Sequence, residues 1–183
     1  MAYDIKDVFY LDTSVTIAAT TAGGGSGQLD LSAYIDPIAR GRTKGTGLAI
    51  YKVYYTMTDS SANNPVLAGE TGTARIAMVA GLGVGDQDTG IAFTGDIMQA
   101  SNSLAVSVMD YWAPGSGAGT TGFETLVKPS EKVPYVIVRD NVCLCYEQGA
   151  DFTQETILAV RLECAQISLD QATLNQLLRT QTV

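Results

Sequence analysis

The 183-residue sequence carries few charges: Asp, Glu, Lys and Arg make up 16% of it, against about a quarter in an ordinary soluble domain. Hydrophobic residues make up 46%, glycines number 19, and 11 cations against 19 carboxylates leave a formal net charge of −8. Such a length suits one domain that needs neither disulfides nor a structural metal to bury a core, and the acidic balance argues against a nucleic-acid binder. Nucleic-acid affinity comes largely from neutralised phosphates and calls for a basic stripe or arm. Here the densest cationic stretch is Arg40-Gly-Arg42-Thr-Lys44, read as a solvated loop.

With so little charge, much of the surface must consist of Ser, Thr, Gly, Asn and small apolar side chains, which are easily desolvated. That suits a protein packed against copies of itself, although a secreted adhesin or lectin would look similar. The start Met1-Ala-Tyr-Asp-Ile-Lys-Asp7 lacks a basic segment followed by an apolar run, so no secretory leader is expected. No apolar stretch reaches the roughly 20 residues needed to span a bilayer. The expectation is a chain made in a cytoplasm that stays or assembles there.

In chain order, period-two alternation dominates, the mark of half-buried strands. Phe9, Leu11, Thr13, Val15 and Ile17 form the first apolar set, and Gly23-Gly-Gly-Ser-Gly27 is read as a turn. Leu29, Leu31, Ala33 and Ile35 form a second strand, ended by Asp36-Pro37. Ala49, Tyr51, Val53, Tyr55 and Met57 mark a long strand with Lys52 on its other face, closed by the turn cluster Asp59 to Pro65. A strand follows from Thr73 to Ala80, then a loop past Asp86, Asp88 and Gly90, then a short strand at Ile91 to Phe93. Leu104, Val106 and Val108 lead into Tyr111-Trp112, and Pro114 to Gly122 is read as an exposed, mobile loop.

The run Val133 to Val138 contains Pro134, so it should begin at a sheet edge or strand start. A turn or bulge at Arg139-Asp-Asn141 precedes a strand from Val142 to Tyr146, and Leu158, Val160, Leu162 and Cys164 alternate in the last strand. Ser168-Leu-Asp-Gln171 fits a capping box, with Leu174, Leu177 and Leu178 forming one stripe of a short helix at about 169–180. About a dozen residues do not hold a helix alone, so its leucines must dock on this domain or on a neighbour. About eight strands without a βαβ pattern argue for an all-β sandwich or barrel as a single domain over residues 1–183.

The chain has no histidine. That removes Ser-His-Asp and Cys-His catalysis, the usual ligands of catalytic zinc, and the facial triad of non-haem iron. Glu147, Asp151 and Glu155 could serve a carboxylate-only glycosidase, but they read as a polar loop between strands. Asp86-Gln-Asp88-Thr-Gly90 echoes a calcium loop, yet Gly90 stands where the third ligand belongs. Gly81-Leu-Gly-Val-Gly85 and Gly41 to Gly47 match neither phosphate-binding pattern. Cys143, Cys145 and Cys164 are read as three buried free thiols, the first two on one strand face. Tyr51 and Tyr55 are placed on one face of their strand and Tyr54 on the other, while Tyr111-Trp112 is the better candidate for a binding contact. No catalytic, cofactor-binding or metal-ligating residue is assigned, and the chain is expected not to be an enzyme.

A strand near residue 1 is followed by Leu29-Asp-Leu-Ser-Ala-Tyr-Ile-Asp36, Gly47-Leu-Ala-Ile-Tyr-Lys-Val-Tyr-Tyr55, Pro134-Tyr-Val-Ile-Val-Arg-Asp-Asn141 and Val160-Arg-Leu-Glu-Cys-Ala-Gln-Ile-Ser-Leu169. In strand order and texture this resembles the single jelly-roll major capsid proteins of tailless icosahedral viruses of bacteria and archaea. The resemblance implies an eight-stranded jelly roll standing upright in a shell, with pseudo-hexameric capsomers, often over an internal membrane. It implies the chain itself as main partner, a second coat or vertex protein in some shells, no direct contact with nucleic acid, no cofactor, and location in the virion after assembly in the host cytoplasm. Haloarchaeal relatives would be far more acidic, which argues against a saturated-salt host. The competing expectation is a carbohydrate- or receptor-binding sandwich of a fibre tip or adhesin, with ligand held by Tyr111-Trp112 and the loop after them.

Overall fold

The computed structural model describes residues 8–20, 23–36, 44–60, 71–81, 101–114 and 122–181. Nine strands and one helix are found there: β1 (Phe9–Ile17), β2 (Gly24–Asp30), β3 (Lys44–Asp59), β4 (Thr71–Ala80), β5 (Ala105–Pro114), β6 (Gly122–Val127), β7 (Tyr135–Ile137), β8 (Asn141–Ala150), β9 (Thr156–Asp170) and α1 (Gln171–Thr180). They form two antiparallel sheets, ordered β1-β9-β3-β7 and β2-β8-β4-β5-β6. Early strands pair with late ones in nested fashion: β1 with β9, β2 with β8, β3 with β7, β4 with β5. A long hairpin rolled across two sheets gives this nesting, so the fold is a jelly roll. Eight strands complete the roll, and β6 adds a ninth beyond β5.

The core lies between the sheets. Odd residues of β1 and even residues of β9 point inward, and Leu158, Val160, Leu162 and Cys164 are buried against Ile76, Met78, Leu144 and Phe152. Three tyrosines span the sandwich and end on carbonyls across it: Tyr55 donates to Ser107 O (3.3 Å), Tyr135 to Ser103 O (2.7 Å) and Tyr146 to Thr16 O (3.3 Å). Each brings apolar ring area while its hydroxyl keeps a partner, as buried phenols require.

Four expectations are corrected. The glycine-rich stretch is not a turn but the body of β2, paired to β8 from Gly24 to Asp30. Glycine is needed there by space: a Cβ at Gly25 would lie 2.7 Å from the Tyr146 ring, and one at Gly27 would lie 3.0 Å from Ser14 O of β1. The strand expected over Leu29 to Ile35 stops at Asp30, whose carboxylate accepts from Ser32 N (2.8 Å), and a helical turn follows with Ile35 N donating to Leu31 O. In β3 the register shifts between Ile50 and Lys52. This bulge reverses the alternation, so Leu48 and Ile50 before it and Val53, Tyr55 and Met57 after it all face the core, while Tyr51 joins the outer cluster. Tyr51 and Tyr55 therefore lie on opposite faces. Finally, Ser168 belongs to β9, and the helix is capped by Asp170, whose side chain accepts from Thr173 N (2.7 Å).

Helix α1 docks on its own domain, against the outer face of the first sheet. Leu174 is buried with Ala49, Val138, Ile167 and Leu169, and a Cβ at Gly45 would meet its side chain at 2.8 Å. Gln181, just past the helix, donates to Val136 O (2.7 Å) and accepts from Val138 N (3.1 Å). Its amide takes the place of a neighbouring peptide along β7, closing a sheet edge that would otherwise be open to pairing.

The expected C-x-C geometry holds: Cys143 and Cys145 share the outer face of β8, packed with Ala77, Val79 and Val108, and Cys164 lies in the core; all three are buried and none forms a disulfide. Burial pushes Cys164 up to about 12 from an ordinary 9.0, Tyr135 up to about 12 from 10.0, and Cys145 and Tyr55 upward as well. Because folding favours the neutral forms, their contribution is fully present below about pH 9 and is lost as the pH rises from there through about 12. Urea midpoints should be flat near neutrality and fall in alkali. A thiol-disulfide reagent should label no cysteine at pH 7.5 in the folded chain and all three after unfolding.

Candidate functional site

Pairing register determines what meets on the outer face of the first sheet. Tyr10 of β1 pairs with Glu163 of β9, which pairs with Lys52 of β3; the next row is Asp12, Arg161 and Tyr54, followed by Ser14, Ala159 and Thr56. These rows enclose an open groove of about 630 Å³, walled by Tyr10, Asp12, Tyr54 and Arg161 and floored by Ile157 and Ala159. The short side chain of Ala159 on β9 leaves a depression between Tyr10 on β1 and Tyr54 on β3.

The polar groups in and beside the groove differ in how they are held. Tyr54 donates to Glu163 Oε2 (2.9 Å), and Lys52 bridges Glu131 (2.9 Å) and Glu163 (3.7 Å). The hydrogen bond to Glu163 raises the Tyr54 phenol above its ordinary value, and the one to Glu131 raises the Lys52 ammonium. Arg161 instead lies over the Tyr10 ring, 5.9 Å from its centroid. Though it is register-paired with Asp12, the two form no ion pair, and among the described residues neither closes on another charge.

Exposed large hydrophobic residues gather in two places. Tyr10 and Tyr54 lie on β1 and β3, with Val8 just before β1; Trp112, Phe123, Leu126 and Val133 lie on β5, β6 and the connection to β7. The first sheet has four strands and the second five. Strand β6 thus extends past the sandwich, which leaves Phe123 70% exposed although it is the register partner of buried Tyr111. Among the described residues β6 pairs with β5 alone.

Other sequence candidates scatter. Tyr111 is not a binding contact: it is buried and stacked on Phe152 at 5.8 Å. Trp112 is 39% exposed, and its ring fills the space a Cβ at Gly122 would need. Glu147, Asp151 and Glu155 are exposed and lie outside the groove. Of the Arg40–Lys44 cluster only Lys44 is described, at the start of β3. Asp86 to Gly90, Ile91 to Phe93 and residues 115–121 lie outside the described residues. Among the described residues no three His, Cys, Asp or Glu side chains are placed to hold a metal, and no helix is long and apolar enough to cross a membrane.

No family model matches the chain, and no curated protein matches its sequence. Among solved structures it is similar to a chain of Desmodium yellow mottle tymovirus, with 9% identity and a TM-score of 0.37 over 90% of this chain and 88% of that one. It is also similar to a chain of turnip yellow mosaic virus, with 12% identity and a TM-score of 0.28 over 90% of this chain and 94% of that one. At these scores neither similarity carries a functional argument. The fold class rests on the strand order of the chain itself.

Proposed function

We propose that the chain is a structural subunit of a viral shell: a jelly-roll capsid protein that self-associates and whose function resides in its interfaces. The observation that carries this reading is the β6 flank, where an exposed Phe123 and Leu126 stand on a strand that, among the described residues, pairs on one side only, beside a complete jelly roll. The low charge of the chain keeps the cost of desolvating such faces small. The resemblance to single jelly-roll capsid proteins of tailless viruses supports the same reading and would place the protein in the virion. The formal charge of −8 supports a shell layer that does not itself grip the genome.

The purified full chain, concentrated over a range of salts and imaged by negative-stain electron microscopy, should form ring-like capsomers or closed shells. A strictly monomeric species at every concentration and ionic strength would overturn the proposal.

A further inference from the structure

The groove on the outer face of the first sheet has a chemistry that assembly does not require. The geometry points to a binding site for a neutral saccharide, the ligand lying across β9 between Tyr10 and Tyr54. This inference does not rest on the shell reading, because a subunit of any assembly, or of none, could carry such a site.

Three observations carry it. First, Asp12 and Arg161 are register partners on adjacent strands, yet they form no ion pair and both wall the groove. A carboxylate offers only acceptors and a guanidinium only donors, so together they match a pair of vicinal hydroxyls, each of which can donate and accept. Charge-assisted bonds of this kind are stronger than neutral ones.

Second, Tyr10 and Tyr54 are 55% and 44% exposed on either side of a floor of Ile157 and Ala159. Aromatic rings exposed at a groove give a flat apolar wall with a polar tip, which suits the C–H face of a sugar ring. Tyr54 is fixed by its bond to Glu163, and Tyr10 by the Arg161 guanidinium against its ring. Both walls are therefore oriented before a ligand arrives, which lowers the ordering cost of binding.

Third, the charge balance selects a neutral ligand. Asp12, Glu163 and Glu131 stand against Arg161 and Lys52 on this face, and Lys52 is already engaged by both glutamates. A phosphate or carboxylate at Arg161 would face the unpaired Asp12, and a cation would face Arg161. A ligand with hydroxyls and no charge meets neither repulsion. The remaining rim is supplied by the hydroxyls of Ser14 and Thr56. A volume of about 630 Å³ falls within the range of roughly 300–1,000 Å³ typical of small-ligand sites.

The test uses the full chain and a panel of defined neutral oligosaccharides with sialylated and sulfated counterparts, read by saturation-transfer NMR and by titration calorimetry. Saturation should reach the ring C–H protons of at least one neutral saccharide. Affinity should fall at least tenfold in Arg161→Met, Asp12→Asn and Tyr10→Ala. Trp112→Ala, at the other flank, should leave it unchanged. These residues are on the surface, and an unchanged thermal midpoint for each variant separates lost binding from lost folding. Failure of the whole neutral panel to bind, binding that survives all three groove variants, or a preference for the acidic saccharides would each overturn the inference. Particle images of the same preparations report separately on shell formation, which proceeds whether or not a saccharide binds.

Discussion

Phe152→Ala is expected to destabilise the domain by about 3–5 kcal/mol, the largest stability loss from a single side chain on this fold. Phe152 lies in the β8–β9 connection, fully buried, with its ring stacked on Tyr111 at 5.8 Å. The backbone on both sides is adapted to it. A Cβ at Gly72 would press to 3.1 Å from the ring, and Thr20 N donates to Phe152 O at 2.8 Å, tying in the chain after β1. The ring thus joins the start of β4 and the far end of β5 to the connection into β9, while the Phe152 backbone ties in the chain after β1. Alanine would leave a cavity that neighbouring strands cannot fill, since their backbones are held by ladder hydrogen bonds. Urea denaturation followed by far-UV and near-UV circular dichroism checks this. A loss under about 1 kcal/mol would show that the end of the sandwich collapses onto the vacated space.

The second large effect is on assembly rather than stability. Phe123→Lys combined with Leu126→Lys should leave the fold intact and abolish ring and shell formation. With Phe123 70% and Leu126 42% exposed, the changes remove little buried area, and surface substitutions of this kind usually alter stability by about 0.5 kcal/mol or less. Lysine on a strand paired on one side only opposes edge-to-edge pairing by its charge and its hydration. Sedimentation velocity should show subunits where the parent chain shows assemblies, with unchanged thermal midpoints. Assembly at the parental level by the double variant would remove β6 from the interface and with it the main support for the shell reading.

Most of the sandwich was legible from alternation because its strands have one wet and one dry face. The odd residues of β1, the even residues of β9 and the start of β7 after Pro134 are found where the pattern puts them. The misses have local physical causes. Glycines 25 and 27 signal a turn by composition but serve here as clearance for Tyr146 and for the β1 backbone, a reason that exists only once strands are stacked. Tyr51 fits a continuous alternation, and nothing in its neighbours announces the bulge that moves it to the outer face. Strand β6 was hidden because Phe123 and Leu126 face solvent, so it has no dry face to read.

The groove was legible only in parts. Tyr10, Asp12 and Ser14 are visibly the outward set of β1, and Ile157, Ala159 and Arg161 that of β9. What brings Asp12 to Arg161 and Arg161 to Tyr54 is register between strands far apart in the chain, and register depends on the whole core. In the sequence Tyr54 is one of three tyrosines on a strand, without the partners that give it a role.

The nested pairing also has a consequence in time. Strand β9 lies in the middle of the first sheet, between β1 and β3, and follows every other strand in the chain. On a ribosome, β1 and most of β3 therefore wait without their main partner until residues 156–170 have been made, and the β7 edge waits for Gln181. Contacts so distant in sequence close slowly. The second sheet lacks this delay between β4 and β5, which can pair as soon as both are made. Of the two sheets, the one that carries the groove thus receives its last strand later, and that strand is its own middle one.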